Sequence, residues 1–125
     1  MTFDQERHEL GQRMFAEVTG RAAPAGPTTP LIEMTVDHVC GEIWSRPGLT
    51  RKERRFVTIT AVASAGAELA LQAHVDAALD SGDLSIEELR ELVLHFAAYQ
   101  GYPRATVLHF AVEKAASRDL RQPES

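Results

Sequence analysis

Thr50 to Gln100 reads TRKERRFVTITAVASAGAELALQAHVDAALDSGDLSIEELRELVLHFAAYQ. Nothing in it sustains the apolar–polar alternation of a half-buried strand, whereas helical spacing recurs. Thr50 with Glu53, and Ser85 with Glu88, are capping-box patterns, in which a hydroxyl and a carboxylate satisfy backbone N–H groups at a helix start. They predict helices from Thr50 to about Ser64 and from Ser85 to about Gln100. Gly66 breaks or bends the chain after the first. A further helix fits about Glu68 to Asp80 and ends at Ser81-Gly82. Gly101 and Pro103 are stop signals, after which a last helix spans about Arg104 to Leu120 and leaves a polar, frayed tail.

Working outward, the N-terminal part repeats the pattern. A helix from about Asp4 to Val18 starts after Thr2 and stops at Gly20, with Leu10, Met14 and Val18 on one stripe. Arg21 to Pro30 holds four closely spaced prolines and glycines (Pro24, Gly26, Pro27 and Pro30) and reads as a non-helical connector. A second helix follows from about Leu31 to Trp44, ended by Pro47-Gly48. The expected fold is all-α: a compact bundle of about six helices in a single domain, residues 1–125. Alanines such as Ala63, Ala70 and Ala77 let helices approach closely but supply little core volume. Completion of the core across subunits, in a homo-oligomer, is therefore expected.

Composition narrows the function. Acids outnumber bases 18 to 13, for a formal charge of −5, which argues against a nucleic-acid binder. The bases clustered from Arg46 to Arg55 suit a small anion or acidic side chains. Hydrophobic residues at 44% and charged residues at 25% are ordinary for a globular chain. The single cysteine, Cys40, allows no intrachain disulfide and no CxxC motif. That cysteine usage and a polar Met1–Glu9 point to a cytoplasmic protein. The Ala-rich stretch Ala61–Leu79 carries Glu68, Gln72, His74 and Asp76, so it reads as a buried helix and not a membrane span.

Gly41-Glu42-Ile43-Trp44-Ser45-Arg46-Pro47-Gly48-Leu49 resembles the GE(V/I)WSRPGL signature of the carboxymuconolactone decarboxylase family. The likeness continues through Arg51-Lys52 and Arg54, His74 with Ala77-Ala78-Leu79, Glu87-Glu88-Leu89, Leu94-His95, Tyr99 and Gly101-Tyr102-Pro103. Glu6 to Gly11 also looks like the family's opening helix. The resemblance implies the all-helical alkylhydroperoxidase-like fold, a trimeric or hexameric homo-oligomer, and no metal or organic cofactor. Peroxidase relatives use CxxCxxxH. Counted back from His74, those cysteine positions are Ala67 and Ala70, so thiol–disulfide exchange has no partner there. Two departures stand out: the Ala67–Leu71 stretch has one acid, Glu68, where the family often has several before the histidine, and one residue is inserted near Asp83.

The implied reaction removes CO2 from a carboxylated butenolide, passing the electrons into the lactone carbonyl to give a dienolate. The protein must hold carboxylates, stabilise an oxyanion and deliver a proton. Arg46, inside the signature, is the leading carboxylate anchor, because a guanidinium grips a carboxylate with two parallel hydrogen bonds. Arg51 and Arg54 are further substrate-binding candidates, or else are solvated or paired with glutamates. His74 is the leading proton-transfer residue, against the alternative of a satisfied core histidine. Glu42, a turn after His38, could orient a histidine or act as an acid. Its place near a helix C-terminus disfavours a carboxylate and suggests an arginine or histidine partner. His95 and Tyr99, one turn apart, could line a pocket, though His95 could equally pair with Glu91. Trp44 joins the substrate-binding candidates, although a tryptophan is more often core. No spacing among the histidines suggests a metal site. Three functions remain open: decarboxylation of 4-carboxymuconolactone or a similar carboxylated lactone in aromatic catabolism; lyase, isomerase or hydrolase action on a different lactone or carbonyl compound; and a non-catalytic oligomeric binding protein.

Overall fold

Thr2 opens the first helix, α1 (Phe3–Thr19), through a full capping box: its hydroxyl accepts from Gln5 N–H while the Gln5 side chain accepts from Thr2 N–H. The computed structural model describes residues 2–121, and the tail expected beyond Leu120 falls largely on residues 122–125, outside them. Among the described residues the protein is all-α, with six helices and no strand. By its internal contacts the chain divides into two compact units, the division falling between Arg51 and Lys52.

The first unit contains α1 and α2 (Pro30–Met34), which runs directly into a π-helical segment, Thr35–Ile43. Pro30, expected to belong to the connector, is instead the first residue of α2, behind the Thr29 N-cap. Proline is tolerated there because the first-turn N–H groups have no intrahelical acceptor. The π segment was not expected. At its end Trp44 N–H reaches back five residues to the Val39 carbonyl, at 3.1 Å. The expected stripe on α1 ends in the core: Val18 packs with Cys40, Trp44, Met14 and Phe15. The two helices meet backbone to backbone. A Cβ built at Gly41 would lie 2.8 Å from the Gly11 Cα, and one at Gly11 would lie 2.7 Å from the Val36 carbonyl oxygen. The first glycine of the signature is thus a packing residue.

The second unit contains α3 (Arg51–Ala65, counted from Lys52), α4 (Glu68–Asp80), α5 (Ile86–Gln100) and α6 (Tyr102–Arg121). Gly66 separates α3 from α4 at φ 73°, a left-handed conformation that costs a glycine nothing. The Ser85–Glu88 capping box is present, with Ser85 Oγ accepting from Glu88 N–H and Glu88 accepting from Ser85 N–H. α6 starts at Tyr102, earlier than Arg104, because Pro103 sits in its first turn. The core joins Ile59 and Ala63 of α3, Leu71, Val75 and Ala78 of α4, Leu89 and Phe96 of α5, and Leu108 and Val112 of α6, with Leu84 between α4 and α5. Fully burying one leucine or isoleucine is worth about 1.5–3 kcal/mol. Small alanines at the α4 and α6 contact, Ala78, Ala111 and Ala115, let those helices close on each other.

Candidate functional site

In the first unit the sequence candidates are Glu42, Trp44, Arg46 and Arg51. Glu42 is exposed on the π segment and does have both kinds of partner expected for it. His38 Nδ1 lies 3.3 Å from Glu42 Oε2, and Arg7 Nη2 lies 3.5 Å from the same oxygen. The hydrogen bond with His38, reinforced by Arg7, holds its carboxyl below the usual glutamate range. Glu42 is therefore a carboxylate at neutral pH, fitted to orient or attract a cation and poorly suited to donate a proton. A shallow cavity of about 450 Å³ lies beside it, lined among others by Phe3, Arg7, Leu10, Asp37 and Ser45. Asp37 in turn holds His8, at 2.9 Å.

Trp44 is buried in the small core with Val18 and Cys40. The Arg51 guanidinium sits 6.0 Å from its ring centroid, at the outer edge of a cation–π contact. Arg51 Nη1 also donates to Glu17 Oε2 at 2.9 Å, a pairing with glutamate of the kind weighed from the sequence. Arg46 is exposed just beyond the helix end, and its N–H donates to the Ile43 carbonyl at 3.2 Å. Cys40 is buried, and desolvation pushes its thiol up to about 11. It is a protonated core side chain at neutral pH, without thiolate character.

In the second unit the candidates are Arg54, His74, His95 and Tyr99. His74 is half-buried on α4, with apolar neighbours one turn away on either side: Ala70, Leu71, Ala77 and Ala78. Its Nδ1 is enclosed and meets no hydrogen-bond partner among the described residues. Buried polar atoms almost always find a partner, so this one calls for an explanation. Burial, assisted by the positive charge of Arg55, lowers its pKa from the ordinary 6.5. The resting ring is therefore neutral at physiological pH.

Arg55 is the residue that sequence reasoning missed. It is fully buried, at 0% exposure, and its Nε donates to Asp83 Oδ2 at 3.0 Å. A signal for it was present. Stepping back by fours along α3 from Ala63 through Ile59 reaches Arg55, so the apolar stripe ends in a guanidinium. Arg54 is buried as well. Asp83, the partner, lies in the α4–α5 turn.

His95 and Tyr99 are brought together, their rings 5.5 Å apart. They line a cavity of about 490 Å³ with Phe56 and Thr60 of α3 and Glu88 and Glu91 of the same α5 face. Positions 88, 91, 95 and 99 follow helical spacing, which puts their side chains in one row. Glu88 is already engaged by Lys52 at 2.6 Å. His74 does not line this cavity, so the second unit presents two separate features: an open, mostly apolar cleft and a half-buried imidazole whose Nδ1 is enclosed. Of the two, the imidazole with its unsatisfied nitrogen is the better fit to proton chemistry.

A model of the carboxymuconolactone decarboxylase family matches residues 30–114, well over half the chain. The chain belongs to that family. Two decarboxylases are similar to it over most of their length. One is the 4-carboxymuconolactone decarboxylase of Acinetobacter baylyi, 33% identical over 118 residues, covering 88% of this chain and 87% of the relative. The other is the nitrosuccinic acid decarboxylase npaB of Metarhizium robertsii, 33% identical over 117 residues, covering 82% and 81%. The carboxymuconolactone decarboxylase match includes the Gly41–Leu49 signature, the α3 arginines, His74, His95 and Tyr99, while α1 precedes it. Membership of a decarboxylase family makes a small-molecule acid the substrate class to consider. No helix of the described residues is long and apolar enough to cross a membrane.

Proposed function

We propose that the protein is a cofactor-independent decarboxylase of a small carboxylated lactone, 4-carboxymuconolactone or a close analogue, in the breakdown of aromatic compounds. The observation that carries this reading is the enclosed, partner-free Nδ1 of His74, in a chain whose relatives include a 4-carboxymuconolactone decarboxylase. In the proposed reaction the bond between the ring carbon and its carboxylate breaks and CO2 leaves. The electron pair moves through the double bond onto the lactone carbonyl oxygen, and the dienolate is protonated on carbon. The substrate is its own electron sink, so the chemistry asks only for charge complementarity and a positioned proton.

His74 is assigned the proton transfer. Arg46 is assigned a substrate carboxylate, with Arg51 and Arg54 as supporting cations and Glu42 as a tuning carboxylate; Trp44, buried with Val18 and Cys40, is left to the core. His95 and Tyr99 are secondary candidates through the α5 cleft. The alanines at positions 67 and 70 and the buried Cys40 support the absence of dithiol peroxidase chemistry. A second reading has a specific support. The name of the Metarhizium relative specifies nitrosuccinic acid, which joins two carboxyl groups to a nitro group. A nitro group accepts the electrons of decarboxylation as a carbonyl does. The shared chemistry is loss of CO2 from a carbon conjugated to an acceptor, and the nitro acid is the alternative substrate.

A homo-oligomer is part of the same reading. Large apolar side chains remain exposed on the second unit, among them Val57, Leu69, Leu94, Tyr102 and Phe110. Apolar surface of that kind supports burial against further copies. The test of the function is CO2 release from 4-carboxymuconolactone and from nitrosuccinic acid by purified protein. Release from the lactone supports the first reading, and release from the nitro acid alone supports the second.

A further inference from the structure

Helical spacing sets Glu91, His95 and Tyr99 in one row on α5, in steps of about 6 Å at 1.5 Å of rise per residue. All three line the α5 cleft, together with Phe56 and Thr60 of α3. Its volume of about 490 Å³ falls in the range of small-ligand sites, roughly 300–1,000 Å³. The apolar lining lies deepest: Phe96 is buried, and Phe56 and Leu92 are half-buried. Glu91, His95 and Tyr99 are exposed, and Tyr99 leaves 82% of its surface open. The His95 and Tyr99 rings, 5.5 Å apart, make an aromatic edge to the cleft.

The charges decide what such a cleft accepts. Two carboxylates line it, and only one is compensated. Glu88 is engaged by Lys52 at 2.6 Å and accepts from Ser85 N–H at 3.0 Å. The Glu91 carboxylate has no ion pair or hydrogen bond among the described residues, His95 one turn on included. Among those residues no lysine or arginine lines the cleft. A dicarboxylate entering it would face Glu91 with no cation to offset the repulsion, the reverse of what the substrate assigned to Arg46 needs. An aromatic ring tethered to a cation is the complementary shape and charge. With the cation at Glu91, a two-carbon tether carries the ring about one helical turn along the row, to His95 and Tyr99. We infer that the α5 cleft is a binding site for an arylalkylammonium ion, its charge paired with Glu91 and its ring laid against His95 and Tyr99. The site is separate from the decarboxylation chemistry assigned to His74.

The test is an NMR titration of the intact chain with three probes that share a ring and a tether: 2-phenylethylammonium, 2-phenylethanol and 3-phenylpropanoate. The ammonium ion should bind most tightly and the carboxylate least, with shifts confined to α5 and Phe56. Glu91→Gln should weaken the ammonium ion roughly two- to fivefold, the range for an exposed ion pair, and leave the alcohol unchanged. The position is exposed, so the fold is not at stake in that variant. Tyr99→Ala should weaken the ammonium ion and the alcohol alike, because it removes ring contact and no charge. 4-Carboxymuconolactone should not displace the ammonium probe. Phenylpropanoate binding as tightly as the ammonium ion overturns the inference, and so does Glu91→Gln acting equally on ammonium ion and alcohol. Displacement by the lactone would make the cleft part of the substrate site and overturn it too. Cleft signals that ignore all three probes also overturn it, and if they change on dilution the cleft is a contact between copies of the chain. None of these readouts depends on turnover, so this inference and the decarboxylase reading fail separately.

Discussion

His74 shows how much one side chain's surroundings add to its identity. In the sequence it is a histidine in an Ala- and Leu-rich run, equally readable as a core residue. In the structure its ring is half-buried, its Nδ1 has no partner among the described residues, and burial favours the neutral form. Replacing it with alanine should lower kcat by roughly 10²–10⁴-fold, the range for loss of an acid–base group, with KM changed much less. Steady-state kinetics on folded protein decide this, and near-native turnover would reassign His74 to the core. Arg46→Lys should act differently, raising KM through loss of the two-bond grip while kcat changes little. Glu42 was legible as a carboxylate in search of a cation, and it has Arg7 and His38. Arg55 was missed, because one arginine among several in a charge-rich run reads as solvated, although the stripe through Ala63 and Ile59 ends on it. What singles it out is Asp83, 28 residues away.

Helices were legible wherever their start and stop signals are local. The Ser85–Glu88 box and the glycines at positions 20, 66 and 101 mark ends that depend on the chain's immediate chemistry. Pro30 and Pro103 shifted two starts by a residue or two, because a proline ends one helix and begins the next equally well. The π-helical turn at Thr35–Ile43 had no such signal. Its side-chain pattern is that of an ordinary amphipathic helix, and its packing depends on Gly11, 30 residues from Gly41 in the chain. That contact makes a prediction at this scale. Gly41→Ala puts a methyl against the α1 backbone and should destabilise the first unit by roughly 1–3 kcal/mol, the usual cost of overpacking. Denaturant unfolding measures it, and a variant as stable as the native chain would show that the helices separate freely.

At the scale of the whole molecule the family match, the all-α architecture and the exposed apolar side chains bear on assembly and function together. The alanine content that suggested incomplete cores in the sequence is matched by leucine, valine and aromatic side chains left at the surface. Light scattering at micromolar concentration should report a homo-oligomer, and a monodisperse monomer would remove assembly from the account. Substrate identity was the least legible property, since family membership constrains the reaction more tightly than the acid it acts on. Two similar decarboxylases named for different acids make the same point. The central claim is decarboxylation without a cofactor, and it is tested most directly by measuring CO2 release from 4-carboxymuconolactone by chelator-treated, folded protein. The account predicts one CO2 per lactone consumed, with the rate greatly reduced in His74→Ala. No CO2 from this lactone or from nitrosuccinic acid, with the helical signal intact, would contradict it.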